Sequence, residues 1–221
     1  MLFRSDMGRT KISGNLGVHL GLGVAKSFAG DRGNASVALS YGAQNFKTQR
    51  YQNIFEPGLG EATIRTRYFG ANGHFGYTVS SGALFATPAI DLQAINLKIG
   101  DFAERGLAGT GARSEGATAW YLSATPMLTA GIKTAGMKLS GTIGYQLSDK
   151  GAIVAPMRLV GSPDASDPAM IRTLIDKQAL MLGVNVDAKL GEGAALQFGF
   201  KGLYGDKVDS ESANVKLVVR F

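Results

Sequence analysis

The sequence has no cysteine in its 221 residues. That removes disulfide frameworks and thiolate metal sites, and it fits an oxidising compartment, where a stray thiol is a liability. It has only two histidines, His19 and His74, with no ligand spacing around them, so no metal or cofactor is expected. Nowhere do ~18 apolar residues run together, which excludes a membrane-crossing helix. The opening MLFRSDMGRTKISG lacks both an apolar core and a small-residue cleavage site, so it is not a secretory signal. Charged residues make up 18%, fewer than a soluble domain usually carries. The net charge of +6 comes from scattered Lys and Arg. Without a basic run or an aromatic-interleaved RNA motif, nucleic acid is not an expected partner.

What the sequence has instead is glycine, 31 residues without a collagen-like period, and a persistent alternation of apolar and polar residues. From Lys11 to Val24 the even positions read Ile12, Gly14, Leu16, Val18, Leu20, Leu22 and Val24. The odd positions read Lys11, Ser13, Asn15, Gly17, His19, Gly21 and Gly23. A period of two over that length predicts a strand well beyond the ~5–6 residues common in soluble sheets. The same pattern recurs from Ala35, around Phe69–Val79, Leu84–Ala94, Trp120–Ile132, Met137–Leu147, Leu180–Leu190 and Leu196–Tyr204, and over the final SANVKLVVRF. About nine strands result, with almost nothing helical between them, which excludes βαβ architecture.

The connections alternate in length. Those at 29–33, 80–82, 133–136 and 191–194 are short; those at 45–61, 101–116 and 148–176 are long, and only 205–209 departs from the rule. The last of the long ones, with Pro156, Pro163 and Pro168, is expected to hold a further short strand or helical turn. Short turns at one end and long loops at the other mark an outer-membrane barrel, whereas Greek-key sandwiches mix their connections. Aromatics on the apolar parity fall near the two ends: Tyr41, Trp120, Tyr145 and Tyr204 toward the long loops, Phe75, Tyr77, Phe198 and Phe221 toward the short turns. Two belts of amphipathic rings are expected at two membrane–water interfaces. Pro88 and Pro126 lie on the apolar parity inside strands, and a bulge is expected at each because proline lacks a ladder donor.

Other patterns carry little chemistry. His19, His74, Asp91 and Asp187 share the polar parity, but a hydrolytic pair needs acid, base and water in mutual hydrogen-bond reach, so they read as a polar wall. GNLGVHLGLG has no preceding strand, following helix or Gly-Lys-Ser/Thr, and is not a phosphate loop.

The stretch LGVNVDAKLGEGAALQFGFKGLYGDKVDSESANVKLVVRF resembles the end of the autotransporter β-barrel domain. RLVGSPDASDP resembles the loop segment before it, and LFATPAIDLQAINLKIGDFAERG an earlier strand with its following loop. The resemblance implies an all-β fold: a transmembrane antiparallel up-and-down β-barrel of twelve strands in the bacterial outer membrane. Counting back from Phe221 places strand 11–25 fourth in that order, so the expectation is a barrel over 11–221 truncated to about nine strands, with 1–10 a non-native or disordered start. The implied function is non-catalytic secretion and surface anchoring of the chain's own passenger. The implied partners are outer-membrane lipid and lipopolysaccharide, the barrel-assembly machinery and that passenger, with the barrel itself monomeric. Val215, Leu217, Val219 and Phe221 are then the expected C-terminal assembly signal. A small porin- or adhesin-like barrel without a passenger is the alternative.

Overall fold

The computed structural model describes residues 4–7, 10–14, 17–52, 58–107, 109–164, 166–191 and 193–219. Sixteen strands and no helix occur among them: β1 (Arg4–Met7), β2 (Thr10–Gly14), β3 (Val18–Phe28), β4 (Gly33–Gln52), β5 (Gly58–Tyr77), β6 (Val79–Ser81), β7 (Leu84–Ile99), β8 (Phe102–Ala103), β9 (Ala112–Ser114), β10 (Ala117–Lys133), β11 (Met137–Ser148), β12 (Ala152–Leu159), β13 (Ala169–Leu174), β14 (Gln178–Lys189), β15 (Ala194–Gly205) and β16 (Asp209–Val219). Twelve form one antiparallel sheet in the order β1-β2-β4-β5-β7-β10-β11-β14-β15-β16, with β3 also on β4 and β6 also on β7. Since β2 and β3 run along one side of β4, and β6 continues β5, the chain makes nine full traverses as an up-and-down meander. Arg4–Met7 pairs with Thr10–Ser13.

The sheet curls. Asp91 on β7 and Ser212 on β16 line one recess of about 310 Å³, although five strand spacings would separate them by ~24 Å in a flat sheet. The concave face carries Asn72, Asp91, Gln93, Thr129, Thr142, Asn185 and Lys201. The convex face carries the apolar parity, with Leu22 79%, Leu92 52%, Leu122 49%, Ile143 55% and Val184 42% exposed. Only four apolar residues are buried among the described ones, Ala62, Leu107, Ala179 and Met181. A water-soluble sheet would cover such a face against a second layer. Here the apolar surface is turned outward, and the two flanking strands, β3 and β16, are exposed along nearly their whole length.

Three features differ from the sequence reading. Of the expected loop 45–61, residues 45–52 and 58–61 are strand: β4 and β5 stay paired from Gly33↔Tyr77 through Gln52↔Gly58. Beyond Tyr41 and Phe69 the outward face turns polar while the inward one mixes Gln44, Thr48 and Arg50 with Phe46 opposite Ile64, so the period-two signal vanishes while the ladder continues. Second, neither Pro88 nor Pro126 makes a bulge. Ladder register on β7–β10 is constant past both; each only breaks a few rungs on its other side, Pro88 toward Tyr77 and Pro126 toward Tyr145. The bulge is elsewhere. Between Gly14↔Phe46 and Val18↔Ala43 the first segment advances four residues and β4 three. One extra residue reverses parity, so Lys11 and Ser13 take the outward register and the even series Ile12, Gly14 does not continue that of Val18. Third, while 148–176 holds the further strand expected there, in fact two (β12 and β13), the segment 101–116 is not plain loop: its β8 and β9 join them in a second sheet, β13-β12-β9-β8, at the long-loop end.

At the opposite end, the turn after β3 holds Ala29, Gly30 and Asp31 all at positive φ, 53°, 65° and 63°. Asp and Gly tolerate this conformation, but alanine gains nothing there to offset its Cβ clash. Ala29→Gly is expected to stabilise the fold by up to about 1 kcal/mol, read as a higher urea midpoint in detergent; a lower midpoint would contradict the turn geometry.

Candidate functional site

Two surfaces are built by the sheet, and each takes its character from one parity of the same strands. On the convex face the aromatics fall on defined rungs. Tyr41 pairs with Phe69, Phe69 with Asn96, and Asn96 with Trp120, giving one line across four strands. Tyr145, Leu180 and Tyr204 form a second line on β11–β15. Toward the short turns, Phe75 stacks on Phe28 with ring centroids 5.8 Å apart, Tyr77 lies opposite Gly33, and Phe198 lies between Val186 and Val215. Tyr41, Phe75, Tyr77, Trp120, Tyr145 and Phe198 are all solvent-exposed large side chains, and Tyr204 is half-buried. Phe69, Phe28 and Asn96 complete these lines without having been singled out from sequence; Phe69 was legible by its parity.

On β16, Val215, Leu217 and Val219 are 70%, 60% and 47% exposed on the convex side, and among the described residues the strand pairs only with β15. Phe221 lies outside the described residues.

The concave wall is held together by side-chain hydrogen bonds between neighbouring strands. Thr129 and Thr142 are bonded at 2.8 Å, Gln93 donates to Asn72 at 2.9 Å, and His19 meets the Tyr68 hydroxyl at 3.2 Å. His74 brings Asp91 to 2.5 Å on one ring nitrogen and Asn34 to 2.8 Å on the other. With both nitrogens engaged, the ring has no site left to take a proton from a nucleophile, which general-base work requires. Asp187 is not part of this group; it lies opposite Lys138 and Gln197. Among the described residues no three metal-ligating side chains converge.

At the long-loop rim the second sheet is fastened to the concave side of β4 and β5. Glu104, 9% exposed, accepts from Arg50 Nη2 at 2.6 Å and from the Ala112 amide at 2.7 Å. Burial pushes the Glu104 carboxyl up, but the hydrogen bonds from Arg50 and Ala112 and the Arg50 charge outweigh it, and its pKa falls below the usual carboxylate range. The Arg50 guanidinium is held correspondingly higher, chiefly by its hydrogen bond to Glu104. Beside this pair Leu107, 4% exposed, occupies the space above Gly58 and Gly60, where a Cβ would come within 2.9 and 2.6 Å of its methyl groups. Gly106, at φ 88°, would place a Cβ 2.3 Å from the Leu59 carbonyl oxygen, so no other residue makes this turn. Farther out, Arg113 pairs with Asp164 and Arg158 with Glu115. In the sequence Glu104 and Arg105 stand as loop charges with no motif around them. The partner of Glu104, Arg50, is 54 residues away, and nothing local marks that pairing.

Comparison with known proteins follows the same lines. Residues 6–201 match the autotransporter beta-domain family. No curated protein matches the chain. Among solved structures it is similar to the translocator domain of autotransporter NalP from Neisseria meningitidis, with TM-score 0.77 and 18% identity over 99% of this chain and 71% of that one. At such identity the likeness shows the fold alone. The transport unit of the autotransporter AIDA-I from Escherichia coli aligns over 98% of this chain and 86% of its own length, at 10% identity and TM-score 0.46. With a family match running through nearly the whole sequence and an up-and-down sheet apolar outside and polar within, this chain belongs to the autotransporter beta-domain family.

Proposed function

We propose that the chain is the outer-membrane translocator of a type V secretion system, supporting export and surface anchoring of its own passenger without catalysis or cofactor. The observation that carries this is the convex face: an apolar surface bordered by lines of Tyr, Trp and Phe and interrupted by charge on its flanking strands at Lys26 and Glu211, opposite a concave wall of Asn, Asp, Thr, Gln and Lys. Lipid tails solvate the first and water or exported polypeptide the second. In hydrocarbon every backbone donor and acceptor needs a partner, and only strands in a closed sheet satisfy this without helices. The apolar stretch of β5, Phe69 to Tyr77, spans ~26 Å along the strand, or ~20 Å of membrane height at a tilt of ~40°.

Export is tested with the natural polypeptide carrying an epitope in its passenger. The epitope is expected to appear on intact cells and to be shaved off by external protease. An inserted, heat-modifiable barrel with the epitope retained in the periplasm would refute the secretion role.

Assembly into the membrane is proposed to depend on the apolar stripe Val215, Leu217 and Val219 together with Phe221, read by the barrel-assembly machinery from the side of β16 that has no strand partner among the described residues. Phe221→Ala is expected to lower the amount of heat-modifiable barrel in outer-membrane fractions several-fold while synthesis is unchanged. Equal insertion of the variant would remove the terminal residue from that role.

A further inference from the structure

We propose that the convex surface of β4, β5 and β7, just beyond the Tyr41–Phe69–Trp120 line, is a binding site for a phosphorylated glycolipid headgroup of the outer leaflet. This rests on the membrane orientation proposed above and assigns the lipid contact to particular side chains.

The rungs fix the arrangement. One step past the aromatic line toward the long loops, Arg67 lies opposite Lys98, with Ala43 and Thr118 on either side. The next step outward is Arg65 opposite Asn45, and the next is Lys47 between Ser13 and Thr63. Successive outward rungs are ~6.7 Å apart and neighbouring strands ~4.8 Å, so four cations share a strip ~13 Å tall. All four are exposed and on the outward register. None of the four has an ion-pair partner among the described residues. The carboxylate nearest to them on these rungs is Glu61, two steps above Arg65, on a rung it shares with Gln49, which donates to it at 2.6 Å, and with Lys11 and Arg105.

Like charges this close repel unless a counter-anion sits among them. The convex face elsewhere offers none of this: Lys133, Lys138, Lys189, Lys201 and Lys216 all take the inward register, leaving Lys26 as the outward lysine near the short turns. Lipid-facing cations are therefore concentrated at one height and on one side. That height is the headgroup layer of the leaflet on the long-loop side, which for such barrels is the outer one. Arginine pairs bidentately with phosphate, and two arginines with two lysines supply fork and point-charge donors together. A strip ~13 Å tall exceeds one phosphodiester at the ester line, so the fitting headgroup carries more than one phosphate on an extended sugar scaffold.

The test uses the full chain folded in neutral-detergent micelles, with bis-phosphorylated lipid A as probe and native mass spectrometry to count retained lipid. Wild type is expected to retain lipid A, and R65Q/R67Q/K98Q to retain at least tenfold less, while the inward double substitution K138Q/K201Q retains as much as wild type. Equal retention by the triple variant would overturn the assignment, and so would equal retention of phosphatidylglycerol or displacement by millimolar inorganic phosphate, since either would reduce the site to a general anion contact. Wild type alone gives a second readout should the triple variant not fold. Phenylglyoxal modification of Arg65 and Arg67 is expected to slow when lipid A is present, and unchanged rates would count against the site. A wild-type chain that is not heat-modifiable in these micelles would instead defeat the membrane reading, and the two failures are thereby separate.

Discussion

Val184→Arg should cost about 2–4 kcal/mol in a bilayer, and Asn185→Arg, one residue along the same strand, less than about 1 kcal/mol. Val184 points outward from the middle of β14, opposite Gly141 and Phe200 and 42% exposed. A guanidinium there lies in hydrocarbon, too far from either interface to snorkel fully. Asn185 points the other way, into the recess it shares with Asp91, Thr142 and Lys201, where water reaches a charge. The measurement is reversible urea unfolding from phosphatidylcholine vesicles, followed by heat-modifiable mobility. In detergent-free buffer, a soluble sandwich with its apolar side packed inward would make both substitutions behave by burial alone. Similar costs for the two, or a larger cost for Asn185→Arg, would mean the parity has been assigned backwards.

The parity itself was legible in the sequence wherever one face meets lipid and the other meets water. β10 shows why: Trp120, Leu122, Ala124, Leu128 and Ile132 alternate with Tyr121, Ser123, Thr125, Thr129 and Gly131, Met127 being the exception, because the two solvents differ along that span. Nine traverses could be counted for the same reason. Legibility failed where the solvents stop differing. Above Tyr41 and Phe69, Lys47, Gln49, Thr63 and Arg65 face the same wet surroundings as Thr48 and Thr66 behind them, so the upper halves of β4 and β5 read as a loop. It failed again between Gly14 and Val18, where the register on β4 shifts by one residue while composition is unchanged. The prolines misled in the opposite sense. A missing amide is tolerated by giving up a few rungs on one side while the other ladder continues, without any change of register. The aromatic residues could be placed by parity, but their partners across the sheet could not. Pairings such as Asn96 with Trp120, or Arg50 with Glu104, depend on strand order and stagger.

That last pairing sets how firmly the second sheet is held at the rim, and its loss should be visible without unfolding the barrel. In Glu104→Ala, Arg50 loses a charged partner from a site with one side chain 8% and the other 34% exposed, and the Ala112 amide loses its acceptor. Breaking a fully buried pair costs ~3–5 kcal/mol; with Arg50 partly hydrated, about 2–3 kcal/mol is expected. Leu107 still fills the space over Gly58 and Gly60, so the expected event is local opening of the 104–112 turn rather than global denaturation. Trypsin cleavage after the exposed Arg105 should then accelerate roughly 30- to 150-fold, tracking the population of the open form. The pH dependence has a definite sign. A carboxyl whose pKa is lowered on folding stabilises fully above its unfolded value, and that contribution is lost as pH falls through the folded value. Wild type should thus keep the turn closed from neutrality down to about pH 4 and release it below, as measured with an acid-active protease, whereas Glu104→Gln, having nothing to titrate there, should show a flat profile over the same range. Cleavage of wild type that is insensitive to acid, or equal cleavage of wild type and Glu104→Ala at neutral pH, would show that the turn is held by Leu107 alone.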